Sequence, residues 1–344
     1  MTSDPVERYL TRSRRLQRRS VLRPMSGGEL LDETLALYRA SGAGLLIPLA
    51  VAALVMTAAE NFFTSYVFFR LFETEQVDSV RGQMGEFVVN GALGLFVAAP
   101  IWIIALSYAT AVSVRHVGWI LLNQPTSPGE ATRDARKTFP TLLRASAGVL
   151  LRSAAGLIIG VVVLLAGALI SLEGASSRGI GQTMAVIGIV GLIVGFFWFI
   201  YAAGRFGLVA PVAVIEGLTG KALMRRTVDL IRATGRQGGA AGNVVALIVT
   251  SVFIKYVLES TMVQVLEGID LPAIFRDRIG GALGEAVAGA LIMLPGVLAL
   301  TLVLPFFTTA ITVLYFERRV RIEGYDITAL ASDIDPVRRS FGDA

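Results

Sequence analysis

The chain has 344 residues, of which 54% are hydrophobic and 17% charged, with a mean hydropathy of +0.67. Soluble domains run nearer 45–50% apolar and about 25% charged, so this composition points to a membrane protein. Cysteine is absent, which excludes disulfides, thiolate metal sites and cysteine nucleophiles, while the net charge of +5 is spread between apolar runs rather than gathered as a nucleic-acid-binding face.

Residues 1–22 carry a series of arginines and no apolar stretch of the kind a cleavable signal needs. Ser13-Arg14-Arg15 has a superficial twin-arginine look, but the first apolar run begins near Ala43, too far downstream. This segment is expected to be a basic, solvated arm. Residues 23–327 are expected to form a six-helix membrane domain, and 328–344 a polar tail.

A spanning helix needs about 20 mostly apolar residues, since each adds about 1.5 Å across a hydrocarbon core of about 30 Å. Six stretches qualify: 43–69, 87–114, 142–172, 182–215, 240–265 and 285–316. The fold class expected is therefore all-α, a polytopic transmembrane bundle. Its orientation follows from the basic residues in the connections. With the N-terminus inside, twenty-four of them fall before the first span, in the second and fourth connections with the span ends beside them (Arg144 and Arg205) and after the last span, against five in the three opposite connections. Both termini are expected in the cytoplasm, across a bacterial cytoplasmic membrane.

A repeat precedes the odd-numbered spans. Ser26-Gly27-Gly28-Glu29 and Ser127-Pro128-Gly129-Glu130 each have the form of a capping box, in which hydroxyl and carboxylate cap one another's amides. The third copy is degenerate, with Thr219 as cap and Ala222 in place of the glutamate. Alignment on the caps gives three columns: Leu30, Ala131 and Leu223; Thr34, Ala135 and Thr227; Tyr38, Phe139 and Ile231. Short amphipathic helices are expected before spans 1, 3 and 5, lying in the cytoplasmic headgroup plane with the apolar side toward the lipid. In the third, Leu223, Thr227, Leu230 and Ile231 oppose Arg225, Asp229, Arg232 and Arg236. Three such units predict a bundle arranged about a pseudo-threefold axis.

Few residues have the makings of chemistry. The single histidine, His116, sits beside Arg115 in a run that suits the headgroup level, and one histidine without cysteine gives no zinc set. No cofactor or metal is expected, and no phosphate-cradling loop follows a strand. Ionisable residues within spans are more telling, because each costs several kcal/mol in hydrocarbon unless paired or wet. Glu60 and Asn61 fall in the outer half of the first span, with Lys255 and Glu259 one turn apart in the fifth. They form either an outward-opening polar pocket or a pair that ties helix to helix. Gly156/Gly160 and Gly191/Gly195 have the spacing of close helix contacts, internal or between copies. Pro48, Pro100, Pro295 and Pro305 are expected to kink their spans.

Three stretches carry a resemblance. The first runs from Arg23-Pro24-Met25-Ser26 to Tyr38-Arg39, the second is Pro211-Val212-Ala213-Val214-Ile215-Glu216-Gly217 with Ala222–Thr227, and the third is Leu314–Ile327. Together they resemble the six-helix membrane domain attached to some bacterial glycerophosphoryl diester phosphodiesterases, which also occurs alone. The resemblance covers residues 23–330, with Glu317 standing where that pattern implies aspartate. It implies no phosphodiesterase activity, since the paired histidines and metal-binding carboxylates of that chemistry are missing. At the basic face, Glu216 and Glu317 are expected to form one charge network with Arg225, Arg226, Arg318, Arg319 and Arg321.

The expected function is a non-enzymatic scaffold or accessory protein, in contact with anionic lipid headgroups and with a protein partner or a second copy, but not with nucleic acid. The alternative is a small-solute or ion transporter or channel built on Glu60, Asn61, Lys255 and Glu259. A membrane-embedded enzyme is the third class.

Overall fold

The computed structural model describes residues 24–63, 80–122, 124, 127–171, 178–232 and 240–325. The arm (1–22), the tail (328–344) and Arg236 lie outside them. The described residues form helices and no strand: α1 (Gly27–Phe63), α2 (Val80–Leu121), α3 (Pro128–Ser171), α4 (Arg178–Phe206), α5 (Val209–Ile215), α6 (Gly220–Arg232), α7 (Ala240–Gly268), α8 (Leu271–Ile279) and α9 (Gly281–Glu323). Among the described residues six stretches of helix are long and apolar enough to cross a membrane: Leu45–Phe62, Val97–Leu121, Pro128–Gly167, Gly179–Ile215, Ala240–Gly268 and Ala286–Glu323. The chain is a polytopic bundle of six transmembrane helices.

The spans close into a ring in chain order, α1 against α2, then α3, α4, α7 and α9, with α9 packed back on α1. Strict threefold arrangement is broken across the middle, where α9 also packs on α2. The fourth span is interrupted at Gly207 and Leu208, and the short α5 that follows tucks against α2 and α3. The core is densest toward the end that carries α5 and α6, here the basic end, where Val112, Val212, Leu223, Leu230, Ile311, Leu314, Tyr315 and Phe316 are buried. Large apolar side chains such as Phe196, Phe197, Trp198, Phe253 and Tyr256 are exposed on the outside of the ring, as expected where the solvent is lipid.

Both predicted capping boxes are formed. The Ser26 amide donates to Glu29 Oε2 at 2.8 Å and the Glu29 amide to Ser26 Oγ at 3.4 Å, with the matching bonds between Ser127 and Glu130 at 3.3 and 3.2 Å. The repeat columns face inward: Leu30, Ala131, Leu223, Thr34, Ala135 and Thr227 are all buried. In the third column Ile231 is buried, and Tyr38 and Phe139 meet the edges of Phe306 and Tyr108 with centroids 6.3 and 6.4 Å apart.

Two expectations about these segments need correction. The first two amphipathic segments are not separate helices but the opening turns of α1 and α3, continuous with their spans. Neither sequence offers a helix stop there; Pro48 and Pro140 lie inside the helices, where neighbouring helices support a proline-broken ladder. Only the third copy stands alone, set off by Gly217 and Gly220 with φ of 68° and 58°, values that glycine reaches without steric cost. Nor does its apolar side meet lipid. Leu223, Thr227, Leu230 and Ile231 are buried against the protein, because α6 folds across the ends of α4, α5, α7 and α9.

The glycine pairs join α3 to α4. A Cβ on Gly160 would lie 2.7 Å from Leu192 N, and one on Gly195 would lie 2.6 Å from Gly156 C. These helices touch backbone to backbone, and the pairs serve packing within the chain. Helix α8, in the connection between the last two spans, has no counterpart among the expected elements. Its nine residues are too few for a periodic signal.

Candidate functional site: a basic end and an intramembrane charge triad

At the basic end the single charge network expected from sequence is two. The first centres on Glu216, the residue that closes α5. Arg226 of α6 donates to it from Nε at 2.9 Å and from Nη2 at 3.1 Å, the fork geometry in which guanidinium and carboxylate bind most strongly. Arg226 also pairs with Glu323 at the end of α9. The hydrogen bonds from Arg226 to Glu216, and then to Glu323, outweigh its partial desolvation and raise its pKa well above the ordinary guanidinium value. Tyr315 donates its hydroxyl to Glu216 Oε1 at 2.8 Å. Arg319 in turn donates to Tyr315 Oη at 3.3 Å and to Glu323 Oε2 at 3.0 Å, and lies 3.9 Å over the Tyr325 ring. This network locks α6 across the bundle end.

The second network lies on the last turns of α9. Glu317 is 3% exposed and Arg318 4%. Arg321 Nε donates to Glu317 Oε1 at 2.6 Å, and Arg318 Nε pairs with Glu317 Oε2 at 3.2 Å. Arg321 also donates from Nη2 to the Met25 carbonyl at 3.0 Å, which ties the start of α1 to the end of α9. Arg225 belongs to neither network. It sits on the exposed side of α6, along with Lys221 and Arg232, because Arg226 occupies the inward register.

Sequence reasoning missed Tyr315 and Glu323, although Tyr315, Arg319 and Glu323 follow one another at i, i+4 on a single face of α9. The His116 imidazole, expected near the headgroup level, is enclosed by protein, since this end of α2 packs against α3, α5 and α9. The preceding residue, Arg115, pairs with Asp134 of α3 at 2.7 Å.

Within the membrane, Lys255 reaches both candidate partners. Its Nζ lies 3.1 Å from Glu60 Oε1 and 2.7 Å from Glu259 Oε2. Two carboxylates thus share one ammonium between α1 and α7. Asn61 is not in the cluster, since its side-chain amide donates to the Thr57 carbonyl of its own helix at 2.9 Å. The third helix contributes Gly296, next to Pro295. A Cβ there would lie 2.9 Å from both Glu259 Oε1 and Thr57 Cγ2, so only glycine leaves Glu259 its place. Thr57 Oγ1 is buried there without a hydrogen-bond partner. Lysine is well covered at 13% exposure, whereas Glu60 is 45% exposed.

Among the described residues no three His, Asp or Glu side chains gather into a metal-binding set. No family model, no curated protein and no solved structure matches the chain.

Proposed function

We propose that the chain is a non-enzymatic scaffold or accessory subunit of a bacterial cytoplasmic membrane, with both termini and the basic end inside, acting through lipid or protein contacts at that face. The observation that carries this reading is the way α6 is held. Arg226 fastens the helix down through Glu216 and Glu323, its apolar side is buried in the bundle, and Lys221, Arg225 and Arg232 remain exposed. A rigid platform with an outward basic edge is suited to anionic headgroups or to an acidic partner surface. The imbalance of twenty-four basic residues against five supports the inward orientation of this end. The resemblance of residues 23–330 to the phosphodiesterase-linked membrane domain fits the same reading, with the chain as a stand-alone counterpart that lacks a catalytic half.

The test is affinity purification of the full chain in mild detergent, with retained lipids and proteins identified by mass spectrometry. A lipid or protein should be retained by the parent chain and lost from an R225E/R232E variant. Equal retention by both chains, or none by either, refutes the reading.

A second reading, transport, has one observation in its favour. Glu60 and Glu259 meet on the single ammonium of Lys255, beside the buried Thr57 hydroxyl that has no hydrogen-bond partner and near Pro295 within α9. Proton flux into vesicles that contain the protein, abolished by E60Q and E259Q, would establish it in place of the scaffold.

A further inference from the structure

The outer side of α4 changes character along its length. Val194, Phe197, Trp198 and Tyr201 are each at least half exposed, and their spacing puts them on one face of the helix. Four residues after Tyr201 the same face reaches Arg205, near where α6 packs against α4. A strip that is apolar and then basic follows the profile of a phospholipid, chain first and headgroup last. Trp198 packs beside Tyr201 with ring centroids 5.7 Å apart, and its indole N–H donates to the Arg152 carbonyl of α3 at 3.2 Å. Tryptophan and tyrosine favour the boundary between hydrocarbon and headgroups.

The polar end of the strip has donors and no acid to receive them. Arg205 Nη1 donates to Tyr201 Oη at 2.9 Å, and its guanidinium lies 5.9 Å from the ring centre. Arg232, exposed on the last turn of α6, comes within interacting distance of the same hydroxyl. Among the described residues no carboxylate pairs with Arg205 or Arg232, not even Asp229, one turn back on α6. Glu216 and Glu323, the acids that hold α6 down, are engaged by Arg226. A phenol oxygen that accepts from a guanidinium still has its own proton to donate, and that proton meets no acceptor among the described residues. All three groups can be reached from outside, since Tyr201 is 51% exposed and neither arginine is buried. Two guanidinium groups and a hydroxyl donor suit an anion with several acceptor oxygens.

We propose that Tyr201, Arg205 and Arg232 bind the phosphate of an anionic phospholipid, with an acyl chain lying along Trp198, Phe197 and Val194. The proposal rests on the lipid-contact reading above and gives that contact a specific place, on the wall formed by α4 and α6. A free phosphate ion has the same oxygens but makes no use of the apolar strip that leads up to them.

The experiment uses the full chain, delipidated in detergent and titrated with phosphatidylglycerol or phosphatidylcholine, with bound lipid counted by native mass spectrometry. Phosphatidylglycerol should be retained at least about tenfold more tightly, the combined effect of two basic side chains on an anionic headgroup. Arg205→Gln should erase that preference, whereas Arg136→Gln, at an exposed position on α3, should keep it. Tyr201→Phe preserves the ring and its packing but removes one hydrogen bond to a charged group, so phosphatidylglycerol should bind about tenfold more weakly; this change is too slight for a folding defect to mimic the result. Equal retention of the two lipids by the parent chain, a preference that survives Arg205→Gln, or unchanged affinity in Tyr201→Phe overturns the proposal. Loss of the preference in Arg136→Gln also overturns it, because the attraction would then be diffuse. So does displacement of the lipid by millimolar inorganic phosphate, which would make this a site for the soluble ion. The platform reading is tested on Arg225 and Arg232 together and survives if Tyr201 and Arg205 prove indifferent, so the two failures are distinguishable.

Discussion

Gly160 is the point at which the bundle should be least tolerant of a single methyl group. Its Cβ would lie 2.7 Å from Leu192 N and 2.9 Å from Gly191 C, and both obstacles are backbone, so no rotamer change relieves the clash. Restoring ordinary contact requires α3 and α4 to separate by about 0.7 Å, enough to forfeit a quarter or more of the dispersion attraction along their seam. Overpacking of this kind costs about 1–3 kcal/mol. Gly148 lies on the same helix with nothing within 4 Å of its Cβ position, and there alanine should gain about 0.5–1 kcal/mol from helix propensity. The same propensity gain applies at position 160, so Gly160→Ala is expected to be less stable than Gly148→Ala by the overpacking cost alone, about 1–3 kcal/mol. Thermal unfolding of both variants in one detergent measures the difference, and size-exclusion chromatography should show the same oligomeric state for each. Equal stability would show that the helices are not in backbone contact. A change of oligomeric state at Gly160 alone would move the glycine pairs to an interface between copies.

Three further outcomes are expected. Lys255→Met removes the cation that Glu60 and Glu259 share and should cost about 2–3 kcal/mol, less than for a fully buried pair because Glu60 is 45% exposed; the triple variant K255M/E60Q/E259Q should recover most of this, and additive effects would rule out coupling. Arg226→Lys should loosen α6, since a lysine cannot span Glu216 with two parallel bonds; faster proteolysis after residue 232 is the readout, and unchanged cleavage would count against the lock. Ser127→Ala should lower stability by about 1 kcal/mol and Ser127→Gly by only a few tenths, the signature of an N-cap.

The spans and both capping boxes were legible because each rests on local chemistry: a long apolar run, or a serine three residues ahead of a glutamate. The repeat columns were legible for the same reason, as periodicity alone puts Leu30, Thr34 and their counterparts on one face. What the apolar face of α6 packs against was not legible, because a helix bound for lipid and one bound for a bundle end carry the same pattern. Leu230 meets protein because α6 crosses four helix ends, a tertiary fact. The triad was half visible. Spacing put Lys255 and Glu259 together, but the choice of Glu60, 195 residues away in the chain, and the clearance that Gly296 provides depend on how α1, α7 and α9 meet. The division of the basic residues into two networks likewise turned on register, with Arg226 inward and Arg225 outward.

The central claim is that the basic end faces the cytoplasm, and a chain with no cysteine allows a direct measurement. Single cysteines are placed at Arg225, exposed on α6, and at Glu267, exposed at the far end of α7, and right-side-out membrane vesicles are treated with a membrane-impermeant maleimide. The account predicts labelling at 267 in sealed vesicles and labelling at 225 only after permeabilisation. The reverse pattern would put the basic platform outside and contradict the proposed function.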